Sequence, residues 1–364
     1  MKMPKQVKKM MDRIRKRRKL TKEESREFDF DKLITEARPH ILEKICLSLD
    51  YETFKNCLKV NKAWREVLAS KTYQPKVQST FREDIANEEN TLIQMSEDGD
   101  TEGVKRILSS GLIKVDCNDK KLKPWQQIGP RTPLIYAATE GHADIVRLLI
   151  QAGADVNQEG PLNSNMGPDD YEESPLMVAA NYNHFEVVKL LIEAGAVPDR
   201  VDQFGKTPLL LAAWNSNMPF GNLIPWERET PIAVMKLLLD KGADANNADE
   251  YGTTPLIAAA YMGDCEVANL LLDRGADIEK ASSTSWRAPL MTAVAENNID
   301  MVRLLIDRGA DVIHGDGTIN NMGLAMEKGY QEIMVMLFNK YKASIAPAHL
   351  AKLTLEEFLA YDSD

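Results

Sequence analysis

Between residues 131 and 310 apolar and polar positions recur in one fixed order, and that order predicts pairs of short helices. The copies read RTPLIYAATEGHADIVRLLIQAGADVN from Arg131 and SPLMVAANYNHFEVVKLLIEAGAVPD from Ser174. The third opens TPLLLAAW at Thr207 and finishes as IAVMKLLLDKGADAN. TPLIAAAYMGDCEVANLLLDRGADIE from Thr254 and APLMTAVAENNIDMVRLLIDRGAD from Ala288 follow. Thr132, Ser174, Thr207 and Thr254 each precede a Pro, the combination that starts a helix: a hydroxyl accepts an orphan N–H, and Pro has none to lose. Ala288 keeps the Pro but lacks the hydroxyl, so its cap is weaker. The Ala pairs 137/138, 179/180, 212/213 and 259/260 predict close approach of neighbouring first helices. The second helix of each copy carries V-x-x-L-L spacing, one apolar face at period 3.6. Gly153, Gly195, Gly242, Gly275 and Gly309 stand where such helices end.

No copy buries its apolar face alone, so the copies must stack into a solenoid. Fixed self-similarity of this kind marks a repeat architecture, and the residues quoted resemble the ankyrin repeat. Imperfect copies flank them: Thr91-Leu92-Ile93 to Leu108 upstream, and Gly323-Leu324-Ala325 to Leu337 downstream. The expected fold is an all-α solenoid of about seven units over residues 90–345. Isoleucine, methionine or leucine (Ile135, Met177, Leu210, Ile257, Met291) replaces the family's usual His after T-P-L, implying apolar packing there. His142 and His184 fall in the turn between helices and read as structural.

Residues 28–72 hold a second pattern: Pro39, Ile41, Leu42, Ile45, Leu49, Phe54, Leu58, Val60 and Trp64. It predicts three short amphipathic helices, broken near Asp50–Thr53 and Asn61. A module this small is near the lower limit for independent folding, and its apolar surface calls for a cover. The cover is either an outside partner or the first unit of the array. The stretch resembles an F-box, with Arg38 where that family usually has Leu before the Pro. The resemblance implies that the nine residues named meet a Skp-type adaptor of a cullin–RING ubiquitin ligase, some of them filling the module's own core.

Composition narrows the picture. Residues 1–19 hold ten Lys/Arg against one Asp, which leaves −19 for the rest of a chain whose net charge is −10. Arg13–Lys19 reads as a nuclear import signal, a phosphate-binding arm or a solvated tail, so the expected location is cytoplasmic, nuclear or both. The four cysteines (Cys46, Cys57, Cys117, Cys265) have no metal or disulfide spacing. No run is long and apolar enough for a membrane span, and no motif carries catalytic chemistry. The expectation is therefore a non-enzyme without cofactor or metal, a monomer within a larger complex, with no nucleic-acid or membrane partner.

The expected organisation is a basic arm (1–27), the F-box-like module (28–72), a linker (73–89), the repeats (90–345) and a C-terminal helix with acidic tail (346–364). Insertions at 117–130, 160–173 and 215–229 interrupt the repeats; in such arrays they extend one face, often the binding face. The ankyrin resemblance places Thr139, Glu140, Asn181, Asn215, Met262 and Glu296 on an inner, concave surface. It also places there an aromatic line of Tyr182, Phe204, Trp214, Tyr251, Tyr261 and Trp286, followed by Arg287. Exposed aromatics are the material of binding hot spots; packing between adjacent units is the other reading of each. The chain then reads as a substrate receptor, the F-box-like module docking the adaptor and cullin and the repeats holding a target. The alternative is a scaffold or nuclear regulator whose helical module caps the solenoid. The acidic background favours a target segment of some basic character.

Overall fold

The computed structural model describes residues 51, 81–117, 131–161, 172–216, 229–284, 287–313 and 320–344. Among these, fourteen helices follow one another in pairs. The first two pairs are α1 (Arg82–Asp98) with α2 (Thr101–Leu108), and α3 (Pro133–Thr139) with α4 (Ala143–Gln151). Next come α5 (Pro175–Asn181) with α6 (Phe185–Glu193), and α7 (Pro208–Trp214) with α8 (Glu229–Asp240). The last three are α9 (Pro255–Met262) with α10 (Cys265–Asp273), α11 (Pro289–Ala295) with α12 (Ile299–Asp307), and α13 (Asn321–Lys328) with α14 (Gln331–Ser344). Odd-numbered helices pack side by side as an inner row and even-numbered ones as an outer row. The result is the all-α solenoid of seven units that the periodicity predicts.

The local chemistry explains the row. Thr132, Ser174, Thr207 and Thr254 each accept the N–H three residues on, at 3.3, 3.3, 3.1 and 3.2 Å. Ala288 makes no such bond. The four Ala pairs are fully buried, which lets the inner helices sit close. On the outer row Val146, Leu149, Val188, Leu191, Leu238, Val267, Leu271, Val302 and Leu305 are buried between the layers. Each such side chain stabilises the stack by roughly 1.5–3 kcal/mol. Ile135, Met177, Leu210, Ile257 and Met291 are buried as well, so apolar packing does replace the missing histidines.

Between units the ties change along the chain. His142 and His184 leave their own helices without a side-chain cap. Their Nε2 atoms instead reach Glu97 O (3.0 Å) and Thr139 O (2.8 Å), at the C-termini of α1 and α3. Asp264 and Asn298, at the same place in later units, cap α10 and α12 themselves. Toward the C-terminus, ion pairs Asp240–Arg274 and Asp273–Arg308, both 2.7 Å, join successive outer helices.

Three details add to the sequence reading. Helix α1 begins at Arg82, inside the stretch 73–89. The 160–173 insertion is closed at its base by β1 (Gly160–Pro161) and β2 (Glu172–Glu173), antiparallel with Gly160 opposite Glu173. The 215–229 insertion separates α7 from α8. Pro39, Ile41, Leu42, Ile45, Leu49, Phe54, Leu58, Val60 and Trp64 lie outside the described residues, as do 1–27, 346–364 and Trp286. Within 28–72 the described residue is Tyr51. Its hydroxyl donates to Glu88 Oε2 at 3.0 Å, and its ring lies 5.3 Å from that of Phe81, at the start of α1.

Candidate protein-binding face

The inner row presents the C-terminal ends of its helices together, because each unit repeats the same turn into its outer helix. Tyr182, Trp214 and Tyr261 come from the ends of α5, α7 and α9. Trp214 and Tyr261 occupy the same position in adjacent units and meet edge to face, with centroids 5.4 Å apart. Trp214 is thereby half-buried, while Tyr261 stays 49 % exposed. Tyr182 is 50 % exposed and stacks on its own unit's His184, centroids 6.2 Å apart. Asn215 donates to the Asn181 side chain, which ties the unit of Tyr182 to that of Trp214.

Phe204 and Tyr251 stand in the loops that precede α7 and α9. Each loop is wound round one aspartate: Asp202 Oδ1 accepts from Phe204 N and Lys206 N, and Asp249 Oδ1 from Tyr251 N and Thr253 N. Successive loops are laced by backbone bonds, Glu250 N donating to Phe204 O at 2.8 Å and Ser283 N to Tyr251 O at 2.9 Å. Gly252 makes this approach possible: its φ is +75°, and a Cβ there would lie 2.3 Å from Ser283 N. Lys206 sits over the Phe204 ring, 5.7 Å from its centroid. Arg287 is half-buried, and its carbonyl accepts from Ser282 N. So the predicted residues form two tied groups, one at helix ends and one in the loops.

A further cluster lies at the position just before the Ser/Thr-Pro-Leu start. Arg131, Glu173 and Lys206 hold that position in successive units. Arg131 is buried, with its guanidinium 5.6 Å from the Tyr136 ring. Glu173 is 3 % exposed, and its Oε2 has no hydrogen-bond partner. Burial first, then the nearby Asp202 carboxylate, push the Glu173 carboxyl up to about 7, against the opposing pull of Arg131 and Lys206. Asp202 Oδ2 is likewise buried and unpartnered. The sequence reading missed Glu173 because a glutamate beside a loop insertion reads as solvated; its alignment with Arg131 and Lys206 was the available signal.

Nothing in this arrangement gathers a nucleophile with a base, and among the described residues no group of three or more His, Cys, Asp or Glu could hold a metal. Among them, too, no helix is long and apolar enough to cross a membrane. A family model for ankyrin repeats matches three times, at residues 60–160, 161–223 and 228–282, and a single-repeat model matches residues 286–316. The chain belongs to the ankyrin-repeat family. Ankyrin repeats are typically non-catalytic modules for protein–protein interaction, which is the activity this array supports. No F-box model matches residues 28–72, and the first ankyrin match begins inside that stretch. No curated protein matches this ankyrin-repeat chain.

Proposed function

We propose that the inner face from Tyr182 to Tyr261 grips a segment of a target protein, and that residues 28–72 deliver the target to a ubiquitin ligase. The observation that carries the first half is the aromatic face itself. Tyr182 and Tyr261 are large, half-exposed side chains held in fixed positions on a rigid row, the character of a hot spot. The second half rests on the F-box-like order of Pro39, Ile41, Leu42, Ile45, Leu49, Phe54, Leu58, Val60 and Trp64. A receptor of this kind does no bond chemistry. It raises the effective concentration of target lysines near a charged ubiquitin carrier.

Affinity purification of the intact chain from cells tests the ligase half. A Skp-type adaptor and a cullin should co-purify, and the double variant Ile41→Asp, Leu42→Asp should lose both while its helical signal is unchanged. Absence of adaptor and cullin from the intact chain refutes that half. The target half is tested with Tyr182→Ala and Tyr261→Ala, each of which should weaken target capture by tenfold or more with little change in melting temperature.

A second reading is favoured by Tyr51. Its hydroxyl on Glu88 and its ring against Phe81 put a residue of the F-box-like stretch onto α1. A scaffold whose N-terminal helices cap the first repeat would make such a contact. Limited proteolysis separates the readings: a cap resists cleavage between residues 73 and 80 as long as the array is folded, whereas a free adaptor-binding module is released.

A further inference from the structure

Three of the seven described inner helices end on a charge that opposes their own stability, and α13, with Lys328, is the one that carries a cation in its last turn. A helix C-terminus has partial negative charge and favours a cation. Yet α1, α3, α5, α7, α9 and α11 have no basic residue in their last turn. Instead Asp98 closes α1, and Glu140 and Glu296 are the C-caps of α3 and α11. At one register position of the outer helices Asp144 pairs with Arg147, Glu186 with Lys189 and Asp300 with Arg303, while Glu266 makes no ion pair among the described residues. Glu140 and Glu296 are exposed and have no ion-pair partner among the described residues. Between them on the same row stand Tyr182, 50 % exposed, and Tyr261, 49 % exposed. The face is therefore aromatic at its centre and acidic at both ends. Arginine and lysine suit both parts, pairing with carboxylates and stacking on ring faces.

We propose that this face is occupied, in the absence of a target, by the chain's own residues 1–19. That segment carries ten Lys/Arg against one Asp, with Val7, Met10, Met11 and Ile14 among them, and so matches the face in charge and in apolar content. It is also within reach. Tyr51 rests on Phe81 and Glu88, in the first half of α1, about 15 Å along that helix from Asp98, so the segment is tethered to the first unit of the row. Residues 20–50 lie between, and an extended chain covers up to about 3.3 Å per residue. Neighbouring helices lie roughly 10 Å apart, so α1 to α11 spans on the order of 50 Å. Tethering supplies a high effective concentration without high intrinsic affinity. A target must then displace the arm, which makes the arm a built-in competitor. This inference rests on the reading that the inner face binds a protein segment.

Zero-length carbodiimide cross-linking of the full chain tests it, since that reagent joins lysine to carboxylate only at direct contact. Links from Lys2, Lys5, Lys8, Lys9, Lys16 or Lys19 to Glu140 and Glu296 should form within one copy and disappear in 1 M salt. A labelled peptide of residues 1–19 should bind the variant in which Arg13, Arg15, Lys16, Arg17, Arg18 and Lys19 are changed to Gln at least tenfold more tightly than it binds the unaltered chain. Adding Glu140→Gln and Glu296→Gln to that variant should remove most of the gain. Links that fall only on outer-helix acids, links between two copies, or equal peptide binding by both chains overturn the proposal. If Tyr182→Ala and Tyr261→Ala reduce target capture while the arm variant changes nothing, the binding face stands and only the arm's role falls. If the two tyrosine variants leave capture intact, the binding-face reading itself falls.

Discussion

Replacing Glu173 with Gln should make the protein more stable at pH 8 and leave it nearly unchanged at pH 4. The carboxyl is 3 % exposed, its Oε2 has no partner, and it titrates near 7 in place of 4.5. Burial is the main cause and the Asp202 carboxylate the second. The sign follows from linkage. Below about pH 4.5 the group is protonated whether the chain is folded or not, and the site costs nothing. Between 4.5 and 7 the unfolded chain has lost the proton while the folded chain keeps it, so stability falls as pH rises. Above 7 the full penalty applies. A difference of roughly two and a half pH units, at about 1.36 kcal/mol each, gives about 3 kcal/mol as an upper figure. Glu173→Gln keeps the shape and removes the charge, so it escapes the penalty. For an array of this size the gain corresponds to a melting temperature higher by roughly 6–12 °C at pH 8. Thermal melts of both chains at half-unit steps from pH 4 to 8.5 measure it, because other titrating groups cancel in the difference. Curves that stay parallel across this range, or a variant less stable at pH 8, refute the argument.

Other outcomes are as definite. Ala288→Ser supplies the cap that α11 lacks and should stabilise by about 1 kcal/mol, whereas Thr254→Ala should cost about the same, both read from urea midpoints. Gly252→Ala places a Cβ 2.3 Å from Ser283 N at a φ of +75°. It should cost at least ~1 kcal/mol and speed amide exchange at Glu250 and Ser283, whose N–H groups lace the loops. His184→Ala removes the 2.8 Å bond to Thr139 O from a ring that burial holds below its ordinary pKa. The contribution of His184 should be lost as pH falls below about 6.5, so over that interval thermal melts of the variant should drop less, or rise more, than those of the unaltered chain.

What was legible in the sequence is what depends on neighbours a few residues away. The Thr/Ser caps, the paired alanines and the helix-ending glycines act within one turn, so the copies announced both helices of each unit. The missing cap at Ala288 was legible for the same reason. Helix α1 was only half visible, because over 17 residues it buries only Ile85, Leu92, Ile93 and Ser96, too thin a stripe to extend the pattern back to Arg82. The site was legible in part. The aromatic positions could be read from the repeat register, but whether a ring lies open or against a neighbour could not. Trp214 and Tyr261 meet only because successive units stack in register, whereas Tyr182 turns to its own His184. The burial of Glu173 was not legible, since it is set by the β1–β2 closure and by side chains from the units on either side; only its alignment with Arg131 and Lys206 marked the position.

One junction of the stack, between the units of Tyr182 and Trp214, lies under the proposed binding face. In a solenoid, stability is a sum of unit and interface terms, so the weakest interface decides where the stack opens. Toward the N-terminus the units are tied by histidines to carbonyls, and toward the C-terminus by Asp–Arg pairs. Between these stretches lie the unit of Tyr182 and the unit of Trp214, whose junction is tied by Asn215 to Asn181 and by Asp244 N to Asp199 and also buries two unpartnered carboxylate oxygens, of Glu173 and Asp202. A segment lying across Tyr182, Trp214 and Tyr261 spans that same junction. If it binds only the closed stack, it stabilises it by about 2.7 kcal/mol at a concentration a hundredfold above Kd. Occupancy of the face and protonation of Glu173 both favour the closed stack, so each should raise its melting temperature. At pH 8 the gain in melting temperature from a bound segment and that from Glu173→Gln should add, because the substitution replaces no contact residue; a segment that adds nothing to the variant refutes the account.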